Sequence, residues 1–222
     1  MPIAFERPLN LRTWIDDARK RSRTGAGDWP VFGDTADFSV SIASGPSQRK
    51  DYHISPFEEL FLQVEGELVL RVRDDDGVIG DVVVREGELF ALPANVPHSP
   101  QRTAGSVGLV IERRRPKSDD DTLRFYCDRC SSSVFEESFS LEDAAEELSQ
   151  ILSRFWEDAT MRTCRFCGTV VQPPGKSDTI VTSPIAHAPP ASKGGNAGRS
   201  GPRRAAAPSA KPAARRAAVR GR

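Results

Sequence analysis

The chain has only three histidines in 222 residues, and two of them stand where a transition metal could use them. His53 lies in RKDYHISPFEE, six residues before Glu59, and His98 lies in GELFALPANVPHSPQR. Two imidazoles and one carboxylate suffice for non-heme Fe(II), and they leave coordination positions open for a substrate and O2. His53 and Glu59 share the same parity, so on one regular strand both side chains would face the same way. His98 would arrive from the end of another strand, in a segment stiffened by Pro93, Pro97 and Pro100.

The four cysteines form a second constellation. They occur as CDRC (Cys127, Cys130) and CRFC (Cys164, Cys167), two CxxC turns separated by 33 residues. The N-terminal stretch MPIAFERPLNLRTWIDDARK has an early acid and no continuous apolar run, so it does not read as an export signal. A cytoplasmic location is therefore expected. There, paired CxxC motifs read as metal ligands rather than disulfides. Four thiolates set tetrahedrally suit Zn(II) or a single rubredoxin-like iron, and both stay open on the residues alone.

These groups need elements to hold them. Leu11, Trp14, Ile15 and Ala18 recur at helical spacing, which predicts a short helix within residues 8–24. From Pro30 to Arg115 the chain reads as strands: FSVSIAS, ELFLQVEGELVLRVR, GVIGDVVVRE, ELFALP and SVGLVIERR are short, β-branched and partly alternating. The DDDG at 74–77 suits a hairpin turn. Residues 116–123 (PKSDDDTL) read as a charged linker. Between the cysteine pairs, Ser140 with Asp143 makes a capping-box-like start. Leu141, Ala144, Ala145, Leu148, Ile151, Leu152 and Phe155 then form one apolar helical stripe.

The zero net charge hides a division. Of 31 basic and 31 acidic residues, ten Lys or Arg and one acid fall between Lys176 and Arg222, so this tail carries about +9. The remaining 21 bases and 30 acids give residues 1–175 about −9. The tail is Ala, Pro, Gly, Ser, Arg and Lys with almost no large apolar residue, too little to offset its conformational entropy, and it reads as disordered. It reads as a solvated extension, with weak, sequence-independent contact to nucleic acid or another polyanion as the alternative. No apolar run approaches a membrane span.

The spacing resembles the two motifs of the cupin superfamily. Gly45 precedes His53, and Glu59 is followed by Gly66; Gly87 is followed by Pro93 and then His98. Ser55 stands where the first motif usually has its second histidine, the glycine after the proline is replaced near Asn95, and Arg102 stands where the second motif usually ends in asparagine. The match is closer still to one member family. RKDYHISPFEELF, LPANVPHSPQR, LVIERRRP and the CDRC…CRFC pair, in this order, resemble bacterial 3-hydroxyanthranilate 3,4-dioxygenases over roughly residues 5–175.

That resemblance implies a mainly β fold: a cupin-type jelly-roll barrel over 1–115, a linker, helix and tetra-cysteine site over 116–175, and the tail over 176–222. It implies a catalytic Fe(II) on His53, Glu59 and His98, and a second, structural iron on Cys127, Cys130, Cys164 and Cys167, giving two Fe(II) per subunit, with zinc an option at the cysteines. It assigns Arg49 to the dioxygen and substrate pocket, Arg102 to the substrate carboxylate, and Glu112 to the substrate's polar ring groups, with Glu59 also facing substrate. The partners implied are a small aromatic substrate, O2 and a second copy of the chain.

The implied reaction opens the ring of 3-hydroxyanthranilate to 2-amino-3-carboxymuconate semialdehyde, which closes to quinolinate in the kynurenine route to NAD. A 2-aminophenol can chelate iron through its adjacent oxygen and nitrogen, and an arginine fork suits its carboxylate better than a lysine does. Two alternatives remain: a related dioxygenase for a substituted aminophenol or catechol, and a non-catalytic metal-binding module with a nucleic-acid-binding tail. Arg49, Arg102 and Glu112 argue against the latter, since a structural metal needs no carboxylate clamp.

Overall fold

Runs of Val, Ile, Leu and Phe that are broken every few residues by Gly, Pro or Asn favour short strands paired antiparallel. The computed structural model describes residues 8–21, 27–31, 37–73, 77–114, 119–140 and 144–175. The chain divides into two units, Met1–Ala186 and His187–Arg222, and all described residues lie in the first. The tail expected over 176–222 lies outside the described residues.

In chain order the elements are α1 (Leu11–Arg21), β1 (Gly27–Pro30), β2 (Phe38–Ser44), β3 (Asp51–Ile54), β4 (Glu59–Glu65), β5 (Glu67–Arg73), β6 (Ile79–Arg85), β7 (Leu89–Leu92), β8 (His98–Arg102), β9 (Val107–Arg113), β10 (Asp121–Tyr126), β11 (Ser133–Phe139) and α2 (Ala144–Glu157). One sheet has the order β1-β2-β9-β4-β7 and the other β11-β10-β3-β8-β5-β6. From β2 to β10 the strands alternate between the sheets except for the β5–β6 hairpin, as in the jelly-roll barrel that the cupin resemblance implies. Phe61 and Leu92 from the first sheet pack with Leu68, Leu70, Val72, Val82 and Val84 from the second, so this core fills the space between them.

Two further clusters attach the helices. Leu11, Trp14 and Ile15 of α1 pack on Ile42, Val107 and Leu109. The stripe Leu148, Ile151, Leu152 and Phe155 of α2 packs on Leu123, Phe125 and Phe139. Phe155 stacks on Phe125 with ring centroids 3.7 Å apart.

Close approaches fix two glycines. A Cβ on Gly45 would lie 2.0 Å from the Thr103 carbonyl oxygen. Gly66, at φ 68°, turns the chain from β4 in one sheet to β5 in the other. Asn95 takes φ 64° at the place where the motif usually has glycine, a conformation that asparagine tolerates better than most residues.

Several local expectations change. His53 and Glu59 do not share one strand: Pro56 and a Ser55–Phe57 turn end β3, and the chain crosses to the opposite sheet before Glu59 opens β4. The linker expected over 116–123 is already strand from Asp121 onward, because Leu123 and Phe125 alternate inward and pair with β3. A strand, β11, joins the helix between the cysteine pairs. The N-terminal helix spans Leu11–Arg21, within the expected range. Residues 74–76 of the DDDG turn lie outside the described residues, but β5 and β6 pair up to Arg73 and Ile79 on either side of them. Leu141 and Asp143 also lie outside them, and Ser140 N–H donates to Glu147 Oε2 at 3.0 Å.

Phe155→Ala should lower stability by about 3–5 kcal/mol, since it empties a fully buried stack. Denaturant unfolding checks it, and a loss under about 1 kcal/mol would show that α2 is only loosely docked.

Candidate active site

The crossing from β3 to β4 places His53 and Glu59 on facing sheets. Their side chains converge across the barrel interior rather than along one strand. His98, the first residue of β8, pairs in register with His53. His98 Nε2 lies 2.9 Å from Glu59 Oε2, and His53 Nδ1 lies 3.4 Å from Glu59 Oε1. Donors about 2.1 Å from one ion, at right angles to one another, stand about 3 Å apart. The three side chains therefore fit one divalent cation with two imidazoles and a carboxylate on one side of it.

The far nitrogen of each ring fixes its orientation. A carbonyl oxygen only accepts, so His98 Nδ1–H donates to Val96 O at 3.0 Å and Nε2 is left to face the cluster. His53 Nε2 lies 2.6 Å from Asp121 Oδ2. Burial alone would lower the His53 pKa, but the Asp121 hydrogen bond and the charges of Glu59, Asp121 and Glu112 outweigh it, and the ring is held above its ordinary value. Such a field attracts a cation.

Ser55 stands two residues after His53, just past the end of β3, where the motif usually has its other histidine. Its hydroxyl donates to Phe57 O at 3.0 Å and accepts from Phe57 N–H at 3.1 Å, so it serves the turn.

Glu112 stands directly across from Glu59 in the β4–β9 register, which puts both on one face of the sheet. It is therefore on the inner side and half-buried. Arg102 ends β8 on the same face as His98 and is buried; its Nη1 donates to Gln63 Oε1 at 3.4 Å. Gly108, opposite Gln63, has no side chain to displace them: a Cβ there would lie 2.8 Å from Gln63 Oε1 and 3.1 Å from Arg102 Nη1. Arg49 precedes β3, and its guanidinium is engaged by Asp51. Gln101 ties the Arg49 backbone at both N–H and C=O, each at 3.0 Å.

Asp51, Gln63, Gln101 and Asp121 were not singled out in the sequence. Inward alternation on a strand would have marked Asp121, had β10 been read as one.

The four cysteines also meet. Their Sγ atoms lie within 4.8 Å of one another, with Cys127–Cys167 and Cys130–Cys164 at 3.5 Å. Thiolates about 2.3 Å from a central ion in a tetrahedron lie about 3.8 Å apart. A disulfide would need about 2.0 Å. The two turns repeat one another: Cys127 and Cys164 each accept from the N–H four residues on and donate to the carbonyl five residues on. Ser131 and Gly168, both at positive φ, close them. Burial pushes the Cys127 thiol up to about 11, whereas the Ser132 hydroxyl and N–H bring Cys130 down to about 6.

The family model for 3-hydroxyanthranilic acid dioxygenase matches residues 3–156. The chain belongs to this family. It is 39% identical to the 3-hydroxyanthranilate 3,4-dioxygenase of Xanthomonas euvesicatoria over 173 residues, covering 78% of this chain and 97% of that one. It is 41% identical to the enzyme of that name from Brucella anthropi, over 76% of this chain and 92% of the relative. A fungal relative of the same name, from Neurospora crassa, is 38% identical over 73% of this chain and 89% of its own. The family is one of ring-cleaving dioxygenases. Among the described residues no helix is long and apolar enough to cross a membrane.

The two metal-ligand sets occupy different parts of the fold and should separate by mutation. His98→Ala should lose the barrel metal and keep the cysteine-bound one; Cys127→Ser should do the reverse and lower Tm, because structural metal binding is coupled to folding. Metal analysis with thermal unfolding checks this. Loss of both metals in His98→Ala at unchanged Tm would contradict it.

Proposed function

We propose that this protein is an Fe(II)-dependent 3-hydroxyanthranilate 3,4-dioxygenase. The observation that carries the reading is the buried His53–Glu59–His98 cluster in a chain of this family. When bound, Fe(II) supplies the redox chemistry that lets O2 react with the aromatic ring. Both oxygen atoms enter the product, 2-amino-3-carboxymuconate semialdehyde, so no further reductant is required. Ring closure of that product gives quinolinate, which places the enzyme on the kynurenine route to NAD.

The chain's own groups do the positioning. Arg102 binds the substrate carboxylate, with Gln63 holding the guanidinium. Glu112, beside Glu59, accepts from the amino and hydroxyl groups on the ring. Arg49 faces the dioxygen side of the pocket, and Asp51 and Gln101 fix its place. The cysteine site holds a second, structural iron, or zinc. The same reading carries a homodimer in the cytoplasm, on the strength of the family resemblance. Anaerobic mixing of Fe(II)-loaded protein with 3-hydroxyanthranilate, followed by O2, should give oxygen uptake and the semialdehyde. Absence of both would sink the proposal.

The tail lies outside this reaction. The family match ends at residue 156, and 173 aligned residues already span 97% of the Xanthomonas relative.

Two predictions follow from these assignments. Arg102→Ala should weaken 3-hydroxyanthranilate by about 2–5 kcal/mol, with iron content retained and 2-aminophenol, which lacks the carboxylate, much less affected. Equal losses for both substrates in steady-state kinetics would remove Arg102 from the carboxylate. Deleting residues 177–222 should leave kcat and KM unchanged at moderate salt, since diffuse charge contacts are screened there. Activity lost at every ionic strength would make the tail part of the catalytic unit; loss of nucleic-acid retention alone would make it a polyanion-binding appendage.

A further inference from the structure

The run Asp119–Asp121 looks like a solvated acidic linker, and its members diverge. Asp120 is exposed, whereas Asp121 is 0% exposed. Alternation along β10 forces this: Asp121, Leu123 and Phe125 share one face, and Leu123 and Phe125 are core residues. A carboxylate buried so completely requires a hydrogen-bonded or charged partner. That partner includes the His53 ring, 2.6 Å away at Nε2. Phe139, paired with Asp121 across β10 and β11, walls the same ring at 6.1 Å between centroids. The interaction therefore sits in a dry corner, where an N–H to carboxylate bond is stronger than in water.

We infer that Asp121 is a positioning residue for the barrel metal, acting through His53. A carboxylate oxygen accepts the Nε2–H proton, which leaves the lone pair of the neutral ring on Nδ1, the nitrogen turned toward Glu59. His98 is set the other way round, with its proton on Nδ1, held by the Val96 carbonyl, and Nε2 toward Glu59. The two ligand histidines thus use opposite nitrogens, one set by a backbone oxygen and the other by a buried acid. Only the second can be removed by changing a side chain. The negative charge of Asp121 also raises the basicity of the His53 donor, which strengthens its bond to a cation.

This inference rests on the metal reading of the His53–Glu59–His98 cluster, and its test is metal affinity without substrate. Fe(II) binding to the full-length protein is measured anaerobically by chelator competition, with the cysteine-bound metal and circular dichroism reporting the fold. Asp121→Asn keeps volume and packing but loses the charge, and should weaken barrel Fe(II) about tenfold. Asp121→Ala should weaken it by up to about a hundredfold. A merely structural Asp121 predicts parental affinity in the near-isosteric Asn variant, and that result would overturn the inference. If Asp121→Ala fails to fold, the Asn variant still decides. If the parent protein itself takes up no Fe(II) beyond the cysteine site, the metal reading fails instead.

Discussion

Negative charge buried inside the barrel is the constraint around which the rest is arranged. Glu59 and Asp121 are exposed by only 1% and 0%, and both lie against the same imidazole. Withdrawing a carboxylate from water costs on the order of several kcal/mol even after relaxation. Two in one corner, with Glu112 beside them, hold the His53 pKa above its ordinary value against the desolvation that would lower it. A divalent cation among His53, Glu59 and His98 would answer that charge, and the buried Arg102 adds a further positive group. The hydrophobic core serves the same end. Phe61 packs edge-on to His98 at 5.9 Å and Phe139 closes on His53, so the charges meet where the dielectric is low.

The strand β10 connects this centre to the cysteine site. Asp121 begins it, Tyr126 ends it, and Cys127 is the next residue. Its middle is clamped between β3 on one side and β11 on the other, and its inner face is covered by α2. Arg73 of β5 reaches the cysteine turn as well: it lies over the Tyr126 ring at 4.0 Å and donates to Ser131 O at 2.7 Å. The cysteine cluster thus adjoins the far end of the strand whose near end carries Asp121, the partner of His53. Its separation from the His53–Glu59–His98 cluster does not make it irrelevant, because a strand is placed by both of its ends.

The sequence disclosed residue types better than paths. His53, Glu59, His98 and the four cysteines were legible because such residues are rare and their spacing is restrictive. The helix stripe on α2 was legible for the same kind of reason, since Leu148, Ile151, Leu152 and Phe155 can share a face only on a helix. The route from His53 to Glu59 was not, because parity holds only while the chain remains in one strand, and Pro56 ends it. Asp121 was hidden by its neighbours: three acids in a row look solvated, and which one turns inward depends on a register that only pairing with β3 sets. The partners of the two arginines, Asp51 and Gln63, were hidden because a side-chain bond across strands leaves no periodic trace.

Ser55 shows how a departure from a motif can be read as chemistry. In the usual motif a histidine at that place is a fourth protein donor. The serine instead bonds Phe57 at both N–H and C=O, and its carbonyl accepts from Asn95 N–H at 2.7 Å. One residue thus ends β3, turns the chain toward Glu59 and anchors the Pro93–His98 loop that carries the other imidazole. The protein then offers three donors, which would leave three positions open on a six-coordinate ion held there. Three positions are what a two-atom chelate and dioxygen together require. The residue that departs from the motif is thus the one that makes the turn, and the cluster it leaves offers three protein donors, fewer than the four of the usual motif.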